Sequence, residues 1–186
     1  LHVSTRAATF ADLVDRLLPV LLEERCSFKL ARSTAVLTRL NNGHSSPATV
    51  GKAVTVYPPQ DRVRELGLRL AELLGGWAGP RVLSDRAVAA DAPVYYRYGP
   101  FTRQWGTDER ARLITVIHGP NAQDEEFGAL ATMRYRQPSW TVDPFYQGTD
   151  QQSPDQRNPD RQGSGSAAAV NADVTDAPPG SASAGY

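Results

Sequence analysis

Lysine and cysteine are nearly missing from this sequence. Its 186 residues hold one cysteine, Cys26, and two lysines, Lys29 and Lys52. A single cysteine excludes an internal disulfide and a cysteine-rich zinc site. No sign of charge prevails, since 20 Lys+Arg stand against 20 Asp+Glu. The basic excess typical of nucleic-acid or membrane-surface binders is therefore absent. No apolar run approaches the roughly 18 residues of a transmembrane helix. The most apolar stretch, residues 17–22, is interrupted by Pro19, and the mean hydropathy is -0.42. No basic segment followed by an apolar core opens the chain, so no secretory signal is visible. The first residue is Leu1 rather than Met, which reads as a processed chain or a fragment. The expectation is a cytoplasmic protein that binds neither nucleic acid nor membrane. Catalytic signatures are missing too: no GxxxxGK[ST], no GxGxxG, no kinase HRD or DFG, no HExxH and no GxSxG. The three histidines, His2, His44 and His118, form no cluster with metal spacing. His118, at the end of a predicted strand, reads as a structural loop residue.

What is present divides unevenly. Residues 147–186 carry five acids and two arginines and are otherwise mostly Gln, Ser, Asp, Pro, Gly and Ala. Such a segment cannot bury enough apolar surface to offset its ordering entropy and is predicted to be a disordered linker or tail. Residues 1–146 hold 18 bases and 15 acids and read as one globular domain. Periodicity predicts a short strand at 1–4. A helix follows over 8–24 with Phe10, Leu13, Val14, Leu17, Leu18 and Leu21 on one face, kinked or split at Pro19. An extended piece at 28–30, a helix at 33–41 and a β-branched strand at 53–57 come next. A helix opening at Pro59 or Gln60 runs to Gly75-Gly76, with further strands at 82–83, 94–98 and 113–117. This order predicts an α+β domain around a mixed or antiparallel sheet flanked by helices.

Five segments in order carry a resemblance. They are Leu-His-Val-Ser at 1–4, Phe-Lys at 28–29, Gly-Lys-x-x-Thr-Val-Tyr-Pro at 51–58, Gly-Pro-Arg-Val-Leu-Ser-Asp-Arg at 79–86 and Tyr-Tyr-Arg-Tyr-Gly at 95–99. Over residues 1–145 the chain resembles the N-terminal phospho-Ser/Thr lyase domain of class III and class IV lanthipeptide synthetases. That domain is similar in turn to the phosphothreonine lyases that bacterial pathogens inject into host cells. Residues 140–145 look like the lead into the kinase domain of those synthetases. The resemblance implies that a kinase domain, in the same parent chain or separate, phosphorylates a precursor peptide. The lyase domain then eliminates phosphate to leave dehydroalanine or dehydrobutyrine. The implied partner is thus a phosphorylated precursor peptide, and the implied reaction uses no metal and no other cofactor.

β-Elimination needs a base for the Cα proton, an acid for the leaving phosphate and cations for a dianion. The resemblance makes Lys29 the candidate base. Only a neutral amine can act as one, a state favoured by burial and by neighbouring guanidinium groups. His2 is the candidate acid, because an imidazolium can protonate the leaving oxygen near neutral pH. Arg86 and Arg97 are candidates to clamp the phosphate bidentately. Lys52 would add a point charge and Tyr57 a hydrogen bond. Arg81 is a weaker candidate of the same kind. Asp85 reads only as a surface partner of its neighbour Arg86, an arrangement of little energetic weight. Tyr95, Tyr96, Trp105 and Trp140 read as core or lid aromatics. Two positions depart from the family pattern. A lysine two residues before the acid histidine falls upstream of Leu1. The arginine expected in the loop before Gly51 is replaced by Gly43-His44-Ser45-Ser46-Pro47, so either His44 or Arg39 substitutes or the contact is absent. The alternative reading is therefore a catalytically incomplete peptide-binding or scaffold domain of such a synthetase.

Overall fold

A computed structural model describes residues 1–44, 46–99, 104–120, 124–126 and 134–146. The predicted disordered tail, 147–186, lies outside the described residues. The architecture is α+β, as the pattern predicts. A five-stranded sheet in the order β2-β3-β1-β5-β4 is formed by β1 (His2–Val3), β2 (Ser27–Leu30), β3 (Val54–Tyr57), β4 (Arg86–Ala87) and β5 (Val94–Tyr96). Every pairing in it is antiparallel. A separate three-stranded antiparallel sheet joins β6 (Gln104–Thr107), β7 (Leu113–His118) and β8 (Asp124–Glu126).

Alternation along strands decides which residues are buried. Val3, Val54, Val56, Val94 and Tyr96 project from one face of the five-stranded sheet into the core. There they meet Leu13, Leu17 and Leu21 of α1 (Phe10–Glu23), Leu37 of α2 (Thr34–Asn41) and Leu66 and Leu70 of α3 (Val63–Leu73). Leucines spaced three and four apart line one stripe of each long helix, so burying that stripe fixes the helix on the sheet. Ser33 caps α2 by accepting from the Val36 N–H, satisfying a donor the helix leaves open. Arg62 and Arg69 of the α3 end reach Glu23 and Glu24 at the end of α1.

Three local expectations change. Helix α1 runs unbroken through Pro19. Pro19 and Asp15, whose carbonyl loses its partner, both lie on the exposed side, where water substitutes. No strand forms at 82–83; Val82 is buried in a loop, Leu83 is exposed, and the strand begins at Arg86 instead. Strands β6 and β8 carry no clear alternating apolar pattern, and half-exposed Trp105 on β6 shows why the pattern missed them.

Candidate active site

The opposite face of the sheet carries most of the candidate residues. Across β2, β3, β1, β5 and β4 the registers align Lys29 with Thr55, Thr55 with His2, His2 with Tyr95, and Tyr95 with Ala87. Side chains directly opposite one another share a face, so these five form one row pointing away from the helices. Tyr57 and Arg97, two residues beyond Thr55 and Tyr95, belong to the same face by alternation. Lys29 and His2 are two strands apart, about 10 Å between Cα atoms at the usual strand spacing.

The loop before β4 completes the group. Gly79 passes directly over the end of β1, where a Cβ would lie 2.5 Å from Ser4 Oγ and 2.7 Å from the Thr5 nitrogen. The Ser4 hydroxyl donates to the Pro80 carbonyl at 2.6 Å and holds this crossing. Gly51 takes φ +75, and a Cβ on it would meet the Pro80 oxygen at 2.6 Å. Its N–H donates to Asn41 Oδ1. Only glycine fits there, and the tight turn it makes delivers Lys52 to the site.

Asp85 sits at the centre, buried. Its carboxylate faces His2 Nδ1 at 2.5 Å, accepts the Ser84 hydroxyl at 2.6 Å and lies 3.9 Å from Lys52 Nζ. Burial alone would raise its pKa, but the His2 hydrogen bond, the nearby positive charges and the Ser84 hydroxyl hold it below the usual carboxylate range. For His2 the balance tips the other way. Burial pushes the imidazole below its ordinary value despite Asp85, and the Lys52 charge adds to the lowering. Lys52 is likewise pushed down by burial and by the charges of Arg97 and Lys29, against the pull of Asp85. Burial lowers Arg97 as well, opposed by Asp85. Among the described residues the site is thus a partly desolvated cluster of cations around one carboxylate. An anion bound there would restore protons to His2 and Lys52 by the same electrostatics.

The predicted residues separate into two groups. His2, Lys52, Arg97, Lys29 and Tyr57 converge on the open face. Lys29 is exposed on the edge strand and rests over the Tyr57 ring at 5.7 Å. Arg86 does not join them. It pairs with Tyr96 in the β4–β5 register and so points to the helix side. There its guanidinium meets Asp143 at 2.7 Å and lies against the rings of Tyr135 and Tyr146. Adjacent Asp85 and Arg86 are therefore not a surface pair but point to opposite faces. Asp143 also accepts from the Tyr96 hydroxyl, from Tyr135 and from the N–H groups of Phe145 and Tyr146. This anchors residues 134–146 beneath the sheet, where Phe145 packs on Gly67 of α3. Tyr98, which like Tyr96 alternates away from Arg97, donates to the Val142 carbonyl. Neither His44 nor Arg39 has a described interaction with the cluster. The site residues the sequence reasoning missed are Asp85 and Thr55. The Ser-Asp-Arg triplet after two glycine-constrained turns is the only signal for the first, and the Lys-Thr-His alignment becomes visible only with the sheet register. Among the described residues no three His, Cys, Asp or Glu side chains gather as a metal site, and no helix is long and apolar enough to cross a membrane.

An antiparallel sheet backed by helices is the α+β fold that the sequence predicts. The sequence matches the family described as RamC, N-terminal domain, over residues 1–157, and the chain belongs to that family. A relative at 35% identity over 149 residues is the probable SapB synthase of Streptomyces coelicolor. The match covers 77% of this chain and 15% of that protein, so the chain spans a small part of the relative's length.

Proposed function

We propose that this domain eliminates phosphate from phosphoserine or phosphothreonine in a precursor peptide during lanthipeptide biosynthesis, without a metal. The observation that carries the reading is the gathering of His2, Lys52 and Arg97 around Asp85, with Lys29 farther along the same sheet face. Membership of the RamC N-terminal family and the likeness to a probable SapB synthase support it. The phosphate dianion would sit among Lys52, Arg97 and His2, where its charge raises the imidazole pKa and supplies the acid with its proton. Asp85 fixes the ring through Nδ1, leaving Nε2 to face the leaving oxygen. Lys29, as a neutral amine, takes the Cα proton. The electron pair forms the Cα–Cβ double bond, the Cβ–O bond breaks, and the leaving phosphate takes the His2 proton. The cations stabilise both the developing enolate and the departing phosphate. Arg86 serves this chemistry from behind the sheet, holding the strand that follows Asp85. The peptide's phosphate comes from a kinase domain outside the residues described, and the reaction is cytoplasmic.

One observation favours a second assignment of the base. Lys52, unlike the exposed Lys29, is partly buried, and burial with the charges of Arg97 and Lys29 destabilises its ammonium against the pull of Asp85. The experiment is mass spectrometry of a phosphoserine peptide incubated with the chain and EDTA. A product lighter than the serine peptide by one water establishes elimination. Abolition by Lys29→Ala with residual activity in Lys52→Ala assigns the base to Lys29, and the reverse pattern assigns it to Lys52. Recovery of intact serine would mean phosphate hydrolysis and refute the lyase reading. Binding of the phosphopeptide with no reaction would leave the binding-only domain as the function.

A further inference from the structure

We propose that Thr55 is a phosphate-binding residue, its hydroxyl donating to an oxygen of the phosphate ester on the side of His2 that faces Lys29; the inference deepens the phosphate reading of this site and rests on it. Its position is fixed by the registers, which place it opposite Lys29 on one side and opposite His2 on the other. A group whose Cα proton is reached by Lys29 and whose ester oxygen is reached by His2 must pass above the residue midway between them. That residue is Thr55. Around the same spot Lys52 is close enough to Lys29 and Arg97 for their charges to act on it.

The second observation concerns hydrogen bonding. Thr55 is 8% exposed, and the other buried polar side chains of this protein are Ser4, Thr5, Ser84, Asp85, Arg86 and Asp143. Each of those has a partner. Ser4 bonds Pro80, Thr5 bonds Thr9, Ser84 bonds Asp85, Asp85 bonds His2, and Arg86 bonds Asp143. The Thr55 hydroxyl has no hydrogen-bond partner among the described residues. The residue is largely buried, yet its oxygen is not among the buried polar atoms left without a partner, so it reaches the open face; valine would serve the strand position equally well. Its neighbours on β3, Val54 and Val56, show that valine suits the strand. A donor left open at the floor of a cation-lined face is suited to one ligand class, a tetrahedral oxyanion such as a phosphate monoester.

The test uses Thr55→Val, which removes the hydroxyl and keeps the branched shape, and Thr55→Ser, which keeps the hydroxyl. Inorganic phosphate is titrated into each while the His2 ring resonances are followed by NMR. The proposal expects phosphate binding to weaken about ten-fold or more in Thr55→Val, the loss typical of one hydrogen bond to a charged group. Thr55→Ser should stay within about three-fold of the parent. The unfolding midpoint of Thr55→Val should be unchanged or higher, because no side-chain hydrogen bond to a described residue is lost and valine suits the strand. Should that variant fail to fold, Thr55→Ala carries the same comparison. Unchanged phosphate affinity in the hydroxyl-free variants overturns the proposal, as does an absence of phosphate binding by the parent chain. The titration is independent of turnover, so a parent that binds phosphate through Thr55 yet eliminates nothing would refute only the lyase reading.

Discussion

Truncating Asp143 to alanine should destabilise the domain severely, and the structure sets the scale. The carboxylate is 6% exposed. It takes Arg86 at 2.7 Å, Tyr96 at 2.7 and 2.8 Å, Tyr135 at 3.1 Å, and the N–H groups of Phe145 and Tyr146 at 2.9 and 3.0 Å. Without it a buried guanidinium is left uncompensated, and removing one partner of a buried ion pair costs about 3–5 kcal/mol. Arg86 has no slack to adapt, because its Nε is already buried without a partner. For a domain of this size about 4 kcal/mol corresponds to a fall in Tm of roughly 8–16 °C. Urea unfolding followed by tryptophan fluorescence measures it directly, with Trp140 close by in sequence as a reporter. A loss of under about 1 kcal/mol would refute the reasoning, since it would mean that Arg86 reaches water and residues 134–146 are not docked. The double variant Asp143→Ala with Arg86→Met should recover part of the loss, because it removes the stranded charge as well as its partner. The pH dependence has a definite sign. The hydrogen bonds from Tyr96, the backbone and Arg86 overcome burial and hold Asp143 below the ordinary carboxylate range. Its contribution is therefore present above the unfolded carboxyl pKa of about 4 and is lost as pH falls through the lower folded value.

On the proposed lyase reading, Asp85→Asn should cut kcat for elimination by about 100-fold or more while moving KM less, because the proposed acid, His2, loses its orienting carboxylate while the cations remain. A loss confined to KM would remove Asp85 from the acid step. His2 is pushed below its ordinary pKa by burial, so the fold favours the neutral ring. Stability should then decline as pH drops below about 6.5, where the unfolded chain gains a proton the folded one resists; His2→Gln should flatten that decline in denaturant titrations. Saturating phosphate should raise the His2 pKa in an NMR titration, and a downward shift would contradict an anion beside the ring. Gly51→Ala places a Cβ at 2.6 Å from the Pro80 oxygen with φ +75. It should cost about 1–3 kcal/mol and impair phosphate binding through Lys52, which thermal unfolding and phosphate titration would report together.

The sequence by itself determined the helices, most of the strands and the chemistry-bearing residue types. Leucines at helical spacing leave no other solution for α1 and α3. β-Branched alternation marks β3, and a pair of lysines in an arginine-rich chain stands out without any coordinates. Burial parity along a strand is also written in the sequence, and it sets Arg97 on the face opposite Tyr96 and Tyr98. Only the tertiary structure decided which strands are neighbours. The order β2-β3-β1-β5-β4 sets Lys29, Thr55 and His2 in one row although they are far apart in the chain. No local pattern encodes that register. The fates of Asp85 and Arg86 show the same limit most sharply. As neighbours in a turn they read as a surface pair. Once β4 joins β5 the alternation of the pleat sends one carboxylate to His2 and one guanidinium to Asp143, 57 residues away. A charged side chain's partner is chosen by what the fold brings within a few ångströms of it, and one-dimensional spacing does not contain that distance.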